Sequence, residues 1–380
     1  MKLKSLLLGS AAAMIAVTGA RAADAVIAEP EPMEYVKFCD MYGAGFFYIP
    51  GTETCLRMDG YVRTDASYNV DRITNTAASS TQVVVAPGGA APAAPAGGTV
   101  DVVLAVGAAT AGVYVVNTPA STARNDDLAW SYRARINFDA RNETDWGTLR
   151  SEIRLQGDGD GGGDANVGLD RALISLAGFR LGYSDSFTTT FHGYGLPIEK
   201  NDGYYGYDQA MFFDYTYTAN GFSLGLGIQR SVANAVNDTD VDLYAGASYA
   251  GSWGNVAASY IHETDIDEGA YKVSARITAF EGLDLRGFYL GSSANNTRAI
   301  NNNNGTAVRG ADWAWGVGAS YAVTDTVTLA AVYSDADAAN VSYFAVGANW
   351  TPVPGLRISP EARFNEDDSE QYTIRVYRTW

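Results

Sequence analysis

The segment WSYRARINFDAR, residues 130–141, sorts its side chains into two chemically opposite sets. Its even-numbered positions are all apolar or aromatic, whereas its odd-numbered positions are polar and include Arg133, Arg135 and Arg141. Because successive residues of a β-strand point to opposite faces, this alternation predicts a strand with one apolar and one basic face. The apolar face must then be covered by a second protein layer or by lipid.

The same alternation recurs from Leu56 to the end of the chain, with Gly, Asn, Asp and Pro between the runs. Such runs are typical of half-covered strands separated by turns. We predict 16 strands, at about 56–68, 130–141, 148–156, 168–177, 179–185, 209–219, 221–231, 240–250, 253–262, 269–279, 282–292, 311–322, 325–335, 341–351, 355–365 and 370–380.

Short and long connections alternate between the predicted strands. Ala219-Asn220 is a short one, whereas residues 69–129, 186–208 and 293–310 are long. A barrel in a bacterial outer membrane places its short turns on the periplasmic side and its long loops outside. The pattern therefore predicts an all-β fold, a 16-stranded antiparallel transmembrane β-barrel over residues 56–380, with both termini on the periplasmic side.

No segment after the N-terminal leader predicts a membrane-spanning helix. The longest apolar candidate, residues 102–116, is shorter than the roughly 20 residues that such a helix needs. Its glycine and β-branched content favours a hairpin of strands instead. A chain of this composition crosses a membrane only as a closed barrel, in which alternate residues meet lipid.

The N-terminus has the features of an export signal. Lys2 and Lys4 precede an apolar run over residues 6–17, and small residues flank Arg21 as in a cleavage site. We therefore predict a signal peptide over residues 1–22. An uncleaved membrane anchor is disfavoured because the apolar run is too short.

Charge and cysteine content restrict the possible partners. The chain has 26 Lys and Arg against 43 Asp and Glu, which argues against a nucleic-acid partner. Cys39 and Cys55 are the only cysteines and are predicted to form a disulfide in a periplasmic segment over residues 23–55. A two-cysteine metal site is the alternative, but the two histidines lie far along the sequence.

The sequence contains few signals of catalysis or metal binding. It has no HExxH, GxSxG, P-loop or dinucleotide-binding motif after a strand, so we predict that the protein is not an enzyme. GDGDGGGD at 157–164 offers Asp158, Asp160 and Asp164 as weak calcium ligands. Its spacing is not that of an EF-hand, and a flexible acidic loop is the favoured interpretation.

Arginines are concentrated on the polar faces of the first three predicted strands. If these strands are neighbours, the arginines form one basic wall, unless the face is an ordinary solvated surface. The long connection 186–208 carries three acids. If it folds into the barrel, these acids would face the basic wall and create a transverse electric field across the pore. An ordinary external loop is the alternative and would create no such field. The residues are Arg57, Arg63, Arg133, Arg135, Arg150 and Arg154 on the strands and Glu199, Asp202 and Asp208 on the connection.

Three segments resemble the general outer-membrane porins of alphaproteobacteria. They are CDMYGAGFFYIPGTETCLRMDGYVRTD (39–65), LAGFRLGYSDSF (176–187) and VPGLRISPEARF (353–364), and the leader, the Cys39/Cys55 frame and the last strand are also similar. The resemblance implies a homotrimer in outer-membrane lipid and lipopolysaccharide. It also implies an inward-folded third loop, 186–208, which constricts a water-filled channel for small hydrophilic solutes and ions. No cofactor is implied.

The resemblance also assigns roles to residues. It places the six arginines across the pore from the three loop acids, and it makes Trp380, the terminal aromatic, part of the signal for outer-membrane assembly. The long connection 69–129 leaves an alternative open, a structural or adhesive barrel with a plugged lumen.

Overall fold

The computed structural model describes residues 37–70, 74–76, 79–85, 90, 92–94, 99–104, 112–118, 121–123, 126–161, 166–231, 241–264, 267–292, 312–337 and 341–380. The predicted signal peptide over residues 1–22 lies outside them, as does Asp164. Among the described residues, no helix has the length and apolar character needed to cross a membrane.

Sixteen antiparallel strands form one closed barrel. Each pairs with the next along the chain, and the first also pairs with the last, which closes the sheet. The closed 16-stranded barrel confirms the predicted fold, and every predicted strand has its counterpart. The strands are β1 (Cys55–Val70), β2 (Asp127–Thr144), β3 (Gly147–Asp160), β4 (Asn166–Leu176), β5 (Phe179–Asp185), β6 (Gln209–Ala219), β7 (Phe222–Ser231), β8 (Asp242–Gly251), β9 (Gly254–Glu263), β10 (Glu268–Phe280), β11 (Leu283–Ser292), β12 (Trp313–Thr324), β13 (Val327–Ala336), β14 (Tyr343–Val353), β15 (Leu356–Asn365) and β16 (Glu370–Thr379).

The two faces of β2 have the environments that the alternation predicts. Trp130 and Ile136 are 57% and 40% exposed on the outside of the barrel. The side chains of Arg133 and Arg135, on the opposite face, are only 16% and 19% exposed. An apolar outer face suits lipid, whereas the polar face is turned toward the barrel axis.

Short turns connect the strands at the end of the barrel where the chain termini lie. Between β6 and β7 the turn residues Asn220 and Gly221 have φ of 51° and 83°. Positive φ at both positions is the geometry that an Asn-Gly hairpin turn provides at low cost. The long connections all leave from the opposite end.

An N-terminal segment packs at the short-turn end. Its strand Phe46–Tyr48 pairs with the start of β1, and a disulfide joins Cys39 to Cys55, as predicted. Phe46 is buried, and the guanidinium groups of Arg57 and Arg141 lie over its ring at 5.0 and 4.9 Å. The segment thus contacts the polar face of β1 and β2.

Two small sheets lie within the first long connection. Thr74–Thr76 pairs with Ser121–Ala123. Gly112–Thr118 lies between Ser79–Val85 and Thr99–Leu104, so the described parts of the apolar run, 102–104 and 112–116, lie in paired strands, as its composition predicts.

Candidate functional site

The six predicted arginines all lie on the polar face of β1–β3, each within ion-pair distance of a carboxylate on the same sheet. Charges of both signs therefore alternate along the wall, and it is not purely basic. The pairs of Arg133, Arg150 and Arg154 are also hydrogen-bonded, which orients these three guanidinium groups. The pairs are Arg57–Asp139 (3.8 Å), Arg63–Asp65 (3.5 Å), Arg133–Asp158, Arg135–Asp170 (3.6 Å), Arg150–Asp139 (2.8 Å) and Arg154–Asp170 (3.2 Å).

Asp158 and Asp160, the weak calcium candidates, lie at the end of β3. Asp158 accepts hydrogen bonds from Arg133 Nε and from Gln156 Nε2, the latter at 2.8 Å. Its carboxylate is therefore part of the charged wall.

Asp185 connects the wall to the third loop, residues 186–208. Its carboxylate accepts hydrogen bonds from Arg171 at 3.1 Å and from the hydroxyl groups of Tyr194 and Tyr207, the latter at 3.0 Å. Arg154 lies 3.5 Å away. The wall and the base of the loop thus share one buried acid.

The third loop begins with the short helix α1 (Phe187–Thr190) and buries most of its apolar side chains. Leu196 and Ile198 pack in a cluster with residues of β11–β14, and Phe187 packs in a second cluster with Tyr244 of β8. These partners lie on the side of the sheet opposite to the exposed apolar residues. The loop therefore packs against the face that the closed barrel turns inward.

Glycines on the inward face make room for the loop. A Cβ atom at Gly318 would lie 2.8 Å from Pro197 Cδ, and one at Gly225 would lie 2.5 Å from the Phe187 ring. A Cβ at Gly347 would lie 3.2 Å from Ile198 Cδ1. These distances are at or below the limit of van der Waals contact, so the loop occupies space that larger wall residues would fill.

Replacing Gly318 with valine is expected to displace the loop and to alter the ion conductance of the barrel. The new side chain would overlap Pro197 and Val332, and overpacking of this kind costs about 1–3 kcal/mol. Gly168→Val on β4 is the matched control, since a Cβ atom at this exposed position would meet no other atom within 4 Å. Equal conductance in the two variants would contradict the role given to Gly318.

Glu361 of β15 and Arg375 of β16 fix the tip of the loop, and we call these two residues the tip latch. Glu361 accepts hydrogen bonds from the backbone N–H groups of Glu199 and Lys200 at 2.8 and 2.9 Å and from the Asn201 side chain at 3.0 Å. Arg375 donates to the carbonyl oxygen of Glu199. Both latch side chains are buried, so neither contact is weakened by bulk water.

The three predicted loop acids have different environments. Glu199 forms an ion pair with Arg357 of β15 at 3.1 Å, not with the six predicted arginines. Asp202, within the loop, is buried and only 8% exposed. The backbone carbonyl of Asp208 accepts a hydrogen bond from the backbone N–H of Ser186, which closes the base of the loop. The ion pair of Glu199 therefore joins the loop to the last strands of the barrel.

Burial raises the pKa of the Asp202 carboxyl well above its usual range. A carboxyl with a raised native pKa stabilises the fold most below the unfolded pKa of about 4, and this stability is lost as pH rises through the native pKa. Asp202→Asn is therefore expected to gain stability over the parent above pH ~4, at up to about 1.4 kcal/mol per pH unit.

Unfolding of both proteins at pH 4 and pH 8 measures this difference. Asp145→Asn, at an exposed turn, is the control and should show no such trend. A stability gain of Asp202→Asn that is the same at both pH values would contradict the assignment.

Three of the residues that hold the loop were not predicted from sequence. Arg357, Glu361 and Arg375 occupy alternating polar positions of the last two strands, like those of the first three. The same periodicity would have placed them on the inward face. The periodicity could not show that the loop contacts these residues, because the position of the loop depends on packing between strands that are distant in sequence.

Known proteins are similar to this chain in both sequence and structure. The family model described as the porin subfamily matches residues 24–85 and 97–379. Porin Omp2a of Brucella suis is 34% identical over 421 aligned positions, which cover 100% of this chain and 97% of the relative. Porin Omp2b of Brucella neotomae is 32% identical over 416 positions, which cover 100% and 97%.

A solved structure has a related fold. A triple mutant of the Rhodopseudomonas blastica porin superposes with a TM-score of 0.50 at 15% identity, covering 86% of this chain and 100% of that one. At this identity the likeness concerns the fold alone.

Proposed function

The chain belongs to the porin family, and from this premise we propose that its barrel conducts small hydrophilic solutes and ions by passive diffusion, without catalysis, cofactor or energy input. Membership of the family makes it a channel protein of the bacterial outer membrane. The observation that supports the proposed pathway is the pairing of a charged wall on β1–β4 with a loop packed on the opposite side of the barrel. Fixed charges favour polar solutes over apolar ones, because an apolar solute displaces water from the charges and offers no polar group in its place.

The proposal assigns the six arginines to the pore wall and Glu199 to the constriction. Asp202 and Asp208 then support the loop from within. We further propose a homotrimer surrounded by outer-membrane lipid and lipopolysaccharide. Trp380, whose backbone N–H donates to the carbonyl of Gly60 at 3.2 Å, is proposed as part of the assembly signal.

Recording from planar lipid bilayers tests the proposed function. Purified, folded protein is expected to give steady ohmic conductance steps in KCl, in groups of three if the trimer inserts as a unit. A structural or adhesive barrel with a plugged lumen would give none. Silence from folded protein would therefore overturn the proposal.

Replacing Arg133 and Arg135 together with glutamine is expected to raise the cation preference of the channel. Two positive charges leave the wall while both partner carboxylates remain; Asp158 loses its ion pair, and Asp170 keeps only Arg154. Folding should be nearly unchanged, because substitutions in a lumen are tolerated. The reversal potential in a KCl gradient measures the effect. Arg378→Gln, on an exposed residue near the C-terminus, is the control, and an equal shift in that control would contradict the assignment.

A further inference from the structure

A polar cavity of about 280 Å³ lies between the third loop and β9–β11, away from the arginine wall. We call it the side pocket. One side of it is formed by Asn255, the second residue of β9, and by Arg276 and Arg286, which lie in the halves of β10 and β11 nearer to the turn that joins them. The pocket therefore lies on the short-turn side of the loop.

Two arginines of the side pocket share a single carboxylate. Arg276 and Arg286 are paired in register across β10 and β11. Both contact Asp284, at 2.7 and 3.0 Å. One carboxylate balances only one of the two guanidinium charges, and the side chain of Arg276 remains 53% exposed. The pair therefore keeps N–H donors for a further acceptor.

A buried lysine also lines the side pocket. Lys272 donates to the backbone carbonyls of Thr188 and Tyr205 at 3.1 and 2.6 Å and so holds the loop against β10. The positive charge of the pocket therefore comes from Arg276 and Arg286. Among the described residues that line the pocket, none is an aspartate or glutamate.

The remaining lining suits a hydroxylated molecule. Asn255 supplies amide hydrogen-bonding groups, and Ser274 supplies a hydroxyl that also bonds to His192 at 2.8 Å. Phe288 and Tyr194 supply aromatic surface. Guanidinium groups beside amide, hydroxyl and ring surfaces match an anion with a polar carbon skeleton.

We propose that the side pocket binds a small hydroxylated organic anion, with its carboxylate or phosphate on Arg276 and Arg286 and its hydroxyl groups toward Asn255 and Ser274. This inference rests on the proposed function, since a solute reaches the pocket through the channel. Transient binding there concentrates such anions beside the constriction and favours their passage at low external concentration.

Single-channel recording with added solutes tests the pocket. Gluconate and glucose 6-phosphate are the carboxylate and phosphate probes, and glucose is the neutral control. We expect brief, concentration-dependent partial closures with one or both anions, but not with glucose. In Arg276→Gln/Arg286→Gln the dwell time of these closures should fall by about tenfold or more, the factor for one charge-assisted hydrogen bond. Arg276→Gln alone provides a milder variant at a half-exposed position.

The wall supplies a matched control. Arg141 and Arg150 are also register partners that share one carboxylate, Asp139. Arg141→Gln/Arg150→Gln therefore removes the same charge from the polar face while leaving the pocket intact. It should alter ion selectivity but keep the anion-induced closures. Closures that are lost equally in both double variants, or kept in both, would overturn the inference.

Conductance in KCl alone separates the two proposals. A conducting wild-type channel without anion-induced closures refutes the side pocket but not the channel. If the protein does not conduct, calorimetric titration of detergent-solubilised protein with gluconate and glucose 6-phosphate decides the matter. Binding heat that is lost in Arg276→Gln/Arg286→Gln supports the pocket, and the absence of binding heat with both anions overturns it.

Discussion

Replacing Glu361 with alanine is expected to release the tip of the third loop and to increase the conductance and open-state noise of the channel. The side chain accepts hydrogen bonds from three backbone N–H groups and one side-chain amide of residues 199–201, and alanine removes the acceptor of all four donors. Loss of a buried charged acceptor costs about 3 kcal/mol, so the balance between docked and displaced loop should shift by roughly 100-fold.

Single-channel recording of Glu361→Ala beside Glu366→Ala measures this effect. Glu366 accepts a hydrogen bond from Ser342 at 3.0 Å at an exposed site and does not belong to the tip latch. Its replacement should leave conductance and noise unchanged. If Glu361→Ala conducts like the parent, the loop is held by its apolar contacts without the latch.

Replacing Arg375 with methionine is expected to destabilise the whole barrel. Arg375 Nε and Nη2 donate to the two oxygens of Asp65 at 2.7 and 2.8 Å, and both side chains are 3% exposed. The pair bridges β16 and β1, the two strands that close the sheet. Removing Arg375 leaves the buried Asp65 with only its longer ion pair to Arg63 at 3.5 Å, and breaking a buried pair costs up to about 3–5 kcal/mol.

Urea unfolding of the protein in lipid vesicles measures the loss. Asp65→Asn/Arg375→Met should be more stable than Arg375→Met, because the second change removes the buried carboxylate that has lost its bidentate partner. Arg378→Met, on the same strand at an exposed position, should have a small effect. A double variant that is no more stable than Arg375→Met would contradict this account of the pair.

The fold was predictable because a barrel strand is specified locally. In residues 130–141 every second side chain is apolar, and each strand repeats this rule with its own turn signals. Strand order required no further information, since neighbours in sequence are neighbours in the sheet. The disulfide was predictable for a similar reason, as Cys39 and Cys55 are the only cysteines.

The site was predictable only in part. The arginines lie on the predicted face, but their ion-pair partners depend on the register between strands. A register shift of one residue would turn every side chain of a strand to the other face of the sheet. Glu199 thus forms an ion pair with Arg357, which follows it in sequence by more than a hundred residues. The glycines at inward positions are a sequence signal for the packing of the loop. The inward positions of β7, β12 and β14 carry Gly225, Gly316, Gly318 and Gly347 where a water-filled lumen favours polar residues.

The loop clusters have a consequence for how the channel responds to salt. Phe187, Leu196 and Ile198 are held by apolar burial, which moderate ionic strength does not weaken. Wall charges such as those of Arg57 and Arg150, with about a third of each side chain exposed, are screened within about 10 Å at 0.1 M salt. Raising the salt concentration should therefore reduce charge discrimination while the largest neutral molecule that can pass stays the same. Size exclusion and charge selectivity are thus two separable properties of the same pore.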